Sequence, residues 1–435
     1  MRQRADTRSE RLERLLSGAF GNSTVSARRF AVYLAIIAIA AFAGRAVYVL
    51  MVAQDQTTSY DEVYYRGEAS NIADGRGFEL PHLAVLALGS GEHPPLTAVM
   101  LVPAAWLSDD NELALRLTVA LAGIGVVVLI GLIGREAAGP RAGLVAAGVA
   151  AVYPNLWMND GLLMPEALAT LATAAAILFT YRLIRHPTWM NAAGAGAVCA
   201  VAMLSRAELA LLVPLLVVPT ALMIKGLTRA RRVGLAAVFV ITAGLAVAPW
   251  EAYLLSRYER PVFLSYGGGG ALAGANCEAT YSGPLIGSWV GLCKPNTKAQ
   301  EASLVADEKR SAALRYMSDH LDRLPLVITA RVARTWSVYR PFQMAKFSEA
   351  EGRPRWASFA GFGTYCVLVG FTIAGAVTMR RRRIALVPLL APVAIVTLVA
   401  AGFYGLVRFR APAEVSIVVL AAVAFDNALA RIGSH

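Results

Sequence analysis

Two adjacent carboxylates, Asp61 and Glu62, stand in the run Tyr60-Asp-Glu-Val-Tyr-Tyr65, directly beyond the first long apolar stretch of the chain. An unpaired carboxylate is costly inside lipid, so acids at the exit of a membrane helix point to chemistry at the membrane surface. The bland alternative is a solvated loop. The aromatic pair that follows and the later His93-Pro-Pro95 make that alternative less comfortable. Near the other end of the chain, Arg408-Phe-Arg410 offers two guanidinium groups, whose forks of donors suit a phosphate. If that segment is locally extended, alternate residues project both toward one anion, and at this depth a lipid phosphate is the natural partner.

These groups need a scaffold, and composition supplies its class. Of 435 residues, 57% are hydrophobic and 16% charged, with a mean hydropathy of +0.54. That exceeds what a soluble core requires and predicts an all-α, polytopic membrane protein. Apolar runs long enough to cross a hydrocarbon layer of about 30 Å recur along almost the whole chain, and lipid leaves their backbones no partner outside a helix.

The net charge of +12 does not mark a nucleic-acid binder, because the basic residues fall in short clusters between apolar spans. Arg2, Arg4, Arg8, Arg11, Arg14, Arg28 and Arg29 precede the first span. Arg135 and Arg141, then Arg182 and Arg185, Lys225 to Arg232 and Arg380 to Arg383 follow. By the positive-inside rule these face the cytoplasm. The spans fall near 30–52, 112–134, 141–158, 161–184, 189–205, 207–223, 232–251, 356–378, 384–403 and 412–431, which gives about ten crossings of the cell membrane with both termini inside. The stretch 94–107 reads as a helix on the outer interface, since counting it as a crossing would turn the later basic clusters outward. The run after Arg29 is too long for a cleavable signal peptide. The organisation is therefore a basic segment 1–29, a core 30–251 that includes the external loop 53–111, an external loop domain 252–355 and terminal spans 356–435.

On the external side the topology gathers Asp61, Glu62, His93, Asp160, Glu166, Arg206, Glu208, Arg408 and Arg410. Each has a structural alternative: Asp160 and Glu166 suit a helix N-terminus, Arg206 and Glu208 suit a buried pair, and the two late arginines suit snorkelling anchors. Tyr64 and Tyr65 suit either sugar stacking or the interfacial aromatic belt. Cys277 and Cys293 fall in the second external segment, where a disulfide would hold Tyr281 to Trp289 as one compact lobe at a gain of about 3 kcal/mol. Gly267 to Gly270 reads as a flexible loop suited to a mobile lid. A helical pattern from Ala299 to Arg340 is expected to finish along the membrane.

Taken in order, Asp61-Glu-Val-Tyr-Tyr65, His93-Pro-Pro-Leu96, Tyr153-Pro154 with Glu166, Ser205-Arg-Ala-Glu208 and Arg408-Phe-Arg-Ala-Pro412 resemble the bacterial relatives of the protein O-mannosyltransferases, glycosyltransferases of the GT-C fold. The resemblance covers residues 30–251 well and the last span moderately. It implies an inverting transfer of a sugar from a polyprenyl-phosphate donor to an acceptor hydroxyl of a glycan, lipid or protein on the outer face. Asp61 would be the general base, with a pKa raised by a partly dehydrated interface. Glu62 would orient the acceptor or pair with an arginine, and His93, Arg206, Arg408 and Arg410 would bind the donor phosphate. Tyr64, Tyr65, Asp160 and Glu166 would line the substrate. No cofactor is required; a divalent metal between Asp61 and Asp160, as in some GT-C enzymes, is not favoured in this branch. A transporter or flippase and a noncatalytic envelope scaffold are the competing classes. A transporter should show internal repeats and polar, broken helices near mid-bilayer.

Overall fold

The computed structural model describes residues 25–56, 58–79, 90–107, 112–293 and 295–432, so the arginines from Arg2 to Arg14 lie outside the described residues. Within them the chain is helical throughout. The first span is α1 (Ala27–Met51), and the loop after it holds α2 (Tyr60–Ala73) and α3 (Leu96–Ala105). The hairpin α4 (Glu112–Ala138) and α5 (Pro140–Val152) follows, then the single turn α6 (Pro154–Trp157) and α7 (Glu166–Arg185). Next come α8 (Trp189–Ser205), α9 (Leu212–Met223) and α10 (Arg229–Arg257). The second large loop carries α11 (Gly268–Ala275), α12 (Glu278–Tyr281), α13 (Ala302–Asp319), α14 (Leu324–Thr335) and α15 (Pro341–Ala350), and the chain closes with α16 (Arg355–Arg381), α17 (Val387–Gly402) and α18 (Ala411–Ile432).

Among the described residues six helices, α1, α4, α7, α10, α16 and the last, are long and apolar enough to cross a membrane, and α5, α8, α9 and α17 are shorter apolar helices. These helices make a multi-pass membrane protein. Helix α3 does not cross: ten residues span about 15 Å, and Ala98 and Leu101 pack with Tyr64, Tyr65 and Leu115 instead.

Prolines explain where spans depart from the apolar pattern. The stretch 141–158 stops being one helix at Val152, because Tyr153 is extended ahead of Pro154 (φ −74°, ψ 114°), as a residue before proline prefers. The stretch 161–184 becomes helical only at Glu166, after Pro165. The intervening turn, 158–165, thereby lies at the same end of the bundle as Asp61. Helix α10 runs through residue 251 to Arg257, and the pattern from 299 to 340 divides at His320 into α13 and α14.

The Gly267–Gly270 run is not a free loop; it enters α11, and close approach explains its composition. The N–H groups of Tyr266 and Gly267 donate to the carbonyls of Gly91 and Glu92 at 2.9 and 3.2 Å. A Cβ on Gly267 would strike the Glu92 carbonyl, and one on Gly269 the Ala306 carbonyl. The run thus pins the chain just before His93.

Lipid tails are as apolar as a helix face, so helices in a bilayer are held by close packing rather than by burial from water. Helices α16 and α18 meet at Gly375, where any Cβ would collide with the Leu420 carbonyl. Gly375→Leu should cost about 1–3 kcal/mol through overpacking and lower the apparent melting temperature in detergent, whereas the same change at Gly370, which has open space beside it, should not.

Candidate active site

The site forms where the loop helices meet the bundle end. Ser59 caps α2: its hydroxyl accepts from the Glu62 N–H (3.2 Å), and the Glu62 carboxylate accepts from the Ser59 N–H (3.3 Å). This capping box turns Glu62 inward. Its other oxygen accepts from the Leu163 N–H at 2.9 Å and lies 3.3 Å from Arg116, and the side chain is buried. The Glu62 carboxylate is thus engaged on both oxygens. Asp61, one residue earlier, projects the other way. Its Oδ2 accepts from Arg408 at 2.8 Å and its Oδ1 lies 3.7 Å from His93 Nε2.

Further ion pairs, made by three arginines, surround that contact. Arg206 donates to Glu166 at 2.8 Å and to Glu208 at 2.6 Å. Arg353 donates to Glu351 at 3.0 Å and to Asn159 at 2.9 Å. Arg408 stands 3.3 Å from Glu351 and 3.8 Å from Glu166. Glu166 is therefore shared by Arg206, Arg353 and Arg408. The structure brings together Asp61, His93, Glu166, Arg206, Glu208 and Arg408 from the sequence-derived set.

It separates others. Arg410 is turned away, because Val407–Arg410 is a 3-10 turn rather than an extended segment, and residues two apart on such a turn diverge. Arg410 is buried, donates to Glu414 at 2.6 Å and lies 3.6 Å from the centre of the Tyr365 ring. Asp160 faces Arg45 at 2.5 Å, so Asp61 and Asp160 engage different arginines. Tyr64 and Tyr65 are buried rather than in an exposed belt, and their rings flank the His93 imidazole at 5.0 and 5.4 Å. They hold the imidazole and present no open face to a sugar.

Arg45, Arg116, Glu351 and Arg353 escaped sequence reading. Arg45 had a visible signal, a cation within the first span. Glu351 and Arg353 sit in Glu-Gly-Arg-Pro, just ahead of α16, where a loop and a functional turn have the same composition.

Cys277 and Cys293 are joined by a disulfide, with a Cα–Cα distance of 6.0 Å. The bridge closes a lobe on α14, where buried Arg331 and Arg334 donate to the carbonyls of Ala275, Pro284 and Ile286.

The electrostatics correct one expectation. Burial pushes the Asp61 carboxyl up, but Arg408 and then His93 outweigh it and hold the group down at about 2. With the pair closed, Asp61 is a poor base. Glu68, one turn beyond Tyr64, goes the other way: burial raises it to about 8, against a weak contact from the Tyr64 hydroxyl at 3.4 Å.

The helical bundle, with a carboxylate and a cation cluster at one end, is similar in fold to solved GT-C proteins. The archaeal oligosaccharyltransferase AglB from Archaeoglobus fulgidus, in complex with an inhibitory peptide and a dolichol-phosphate, matches 93% of this chain over 50% of its own, with a TM-score of 0.56 at 13% identity. The apo form of that organism's oligosaccharyltransferase gives 0.55 at 14% identity, over 93% and 51% of the two chains. ArnT from Cupriavidus metallidurans, bound to undecaprenyl phosphate, gives 0.45 at 16% identity, over 92% and 79%. This chain spans about half the length of the archaeal enzyme it matches. Residues 92–253, from the start of the His93 motif through most of α10, match the dolichyl-phosphate-mannose-protein mannosyltransferase family. Over that segment the chain is similar to the family that its motifs resemble. No curated protein matches the sequence.

The Glu68 environment yields a prediction of definite sign. With a folded pKa near 8 above an unfolded value near 4.5, the folded state holds a proton that the unfolded state lacks, so stability falls as pH rises through that window. Glu68→Gln should remove the decline, raising the apparent melting temperature by roughly a few degrees at pH 8.5 and hardly at pH 5.

Proposed function

We propose that this protein transfers a sugar from a polyprenyl-phosphate donor to an acceptor hydroxyl at the extracytoplasmic face of the cell membrane, inverting the anomeric centre. The observation that carries the proposal is the 2.8 Å contact between Asp61 and Arg408, with His93 beside it: a base and a phosphate-binding cation held in one place. The match over residues 92–253 and the GT-C fold support a transferase over a transporter. So does charge placement, since the ion-paired residues collect at helix ends rather than midway along the spans. A dolichol-phosphate on the archaeal enzyme of like fold supports the donor class.

In this scheme the donor phosphate displaces Asp61 from Arg408. Guanidinium exchanges one anion for another, and Arg206 lies close enough to share the charge. The freed carboxylate, still buried, loses the cation that kept it acidic and its basicity rises. Asp61 then accepts the acceptor proton as the oxygen forms its bond to the anomeric carbon from the face opposite the phosphate. The bond from that carbon to phosphate oxygen breaks, and the polyprenyl phosphate leaves with the electron pair, stabilised by Arg408 and His93. Glu351 and Glu166 keep the Arg408 guanidinium aimed while the charge develops.

The test uses purified protein in lipid nanodiscs with a panel of labelled polyprenyl-phosphate sugars. Asp61→Asn should lower turnover by about 100- to 10,000-fold and bind donor at least as tightly as the unmodified protein, because a competitor for Arg408 has been removed. Transfer that survives in Asp61→Asn would refute the assignment. Arg408→Gln should weaken donor binding by about tenfold or more.

A further inference from the structure

Beside the ion-pair cluster lies a strip of aromatic rings that the scheme above does not use. Phe409 packs under the guanidinium groups of Arg206 and Arg408, at 5.0 and 5.9 Å. The Tyr404 ring meets Phe409 at 4.8 Å, and Trp289 meets Tyr404 at 6.3 Å. The strip leads from the arginines that bracket Asp61 out to the disulfide-closed lobe, and its two steps together exceed the breadth of one pyranose ring. Tyr404 is half-buried and lies near the charges of Arg408, Asp61, Glu351 and Arg206.

Trp289 is built into place. Its ring covers Gly274 so closely that a Cβ there would collide with it, and a Cβ added at Gly291 would lie 3.2 Å from the ring edge. The indole N–H points to the Gly270 carbonyl at 3.4 Å, and the Val290 N–H donates to Gly274 at 2.9 Å. The Cys277–Cys293 bridge encloses the residue. The Gly405 N–H donates to Gly287 at 2.8 Å, so the lobe and Tyr404 are fixed to each other. A Cβ at Gly405 would strike the Arg331 carbonyl. Even so, Trp289 is 44% exposed. Backbone and glycines hold one side of the ring, and Tyr404 lies beside it. An aromatic ring held in this way and partly exposed suits the C–H face of a sugar.

We propose that Trp289 and Tyr404 form a stacking subsite for a saccharide acceptor, so that the reacting hydroxyl belongs to a glycan chain. The proposal rests on the transferase assignment above and adds the acceptor class. The donor contributes one sugar next to its phosphate at Arg408; the ring positions farther out belong to the sugars of the acceptor.

The experiment uses the full chain in nanodiscs, labelled polyprenyl-phosphate mannose, galactose and arabinose as donors, and mannan, arabinan and galactan oligosaccharides of increasing length as acceptors, beside a serine- and threonine-containing peptide. One glycan series should accept label, with kcat/KM rising with length. Trp289→Ala should raise the acceptor KM about tenfold, a loss typical of one aromatic contact, while kcat and the hydrolysis of donor by water stay near the unmodified values. Trp289→Phe should restore most of the affinity. Label on the peptide in preference to every glycan overturns the proposal, as does an unchanged KM in Trp289→Ala. A collapse of kcat in Trp289→Ala without rescue by phenylalanine also overturns it, by showing a merely structural tryptophan. If the unmodified protein neither transfers nor hydrolyses any donor, the transferase assignment itself fails, and the subsite with it.

Discussion

The contact between Asp61 and Arg408 joins residues 347 positions apart, and the rest of the site is arranged so that it can exist. An ion pair away from bulk water is tolerable only when each charge has further partners, because desolvation takes back much of what attraction gives. Arg408 has Glu351 and Glu166; Asp61 has His93 and the N-terminal end of α2. These groups come from α2, the segment before α3, α7, the turn after α15 and the turn before α18. A mutual contact among five distant pieces of chain defines a single geometry for the bundle end, and each piece also has its own packing in the helices beneath.

The charges of this cluster are paired with one another. A free base beside a free cation would be a reactive pair exposed to water. Closed on each other, neither is available. In the proposed scheme Arg408 is the group whose choice of anion decides whether Asp61 is basic. The inward neighbour, Glu62, is held in its capping box and by Arg116, which fixes the α2 terminus.

Much of this was legible in the chain. Side-of-membrane bookkeeping places Asp61, His93, Glu166, Arg206 and Arg408 together without any knowledge of contacts, because lipid forces charges to helix ends. What that bookkeeping lacks is rotation about a helix axis. Arg408 and Arg410 share a depth, but a 3-10 turn sends them to different neighbours; Asp61 and Glu62 share one too, and a capping hydroxyl divides them. Asp160 is also at the right depth, yet Arg45, hidden in an otherwise apolar span, claims it. The glycine run 267–270 shows a different limit: composition alone does not separate a chain that needs freedom from one that needs to lie against another backbone. Here the carbonyls of Glu92 and Ala306 decide it.

The burial of Arg410 has a consequence for how the protein lives in bilayers of different thickness. A helix that is mismatched to its membrane tilts or slides at modest cost, and α18 carries Arg408 on the turn at its leading end. Arg410 fastens that turn to Glu414, to Ser337 and to the Thr335 carbonyl, while Glu414 also takes the Tyr153 hydroxyl. Lipid-driven motion of the last helix is therefore absorbed toward its far end, and the guanidinium two residues away keeps its height above the hydrocarbon whichever lipids surround it.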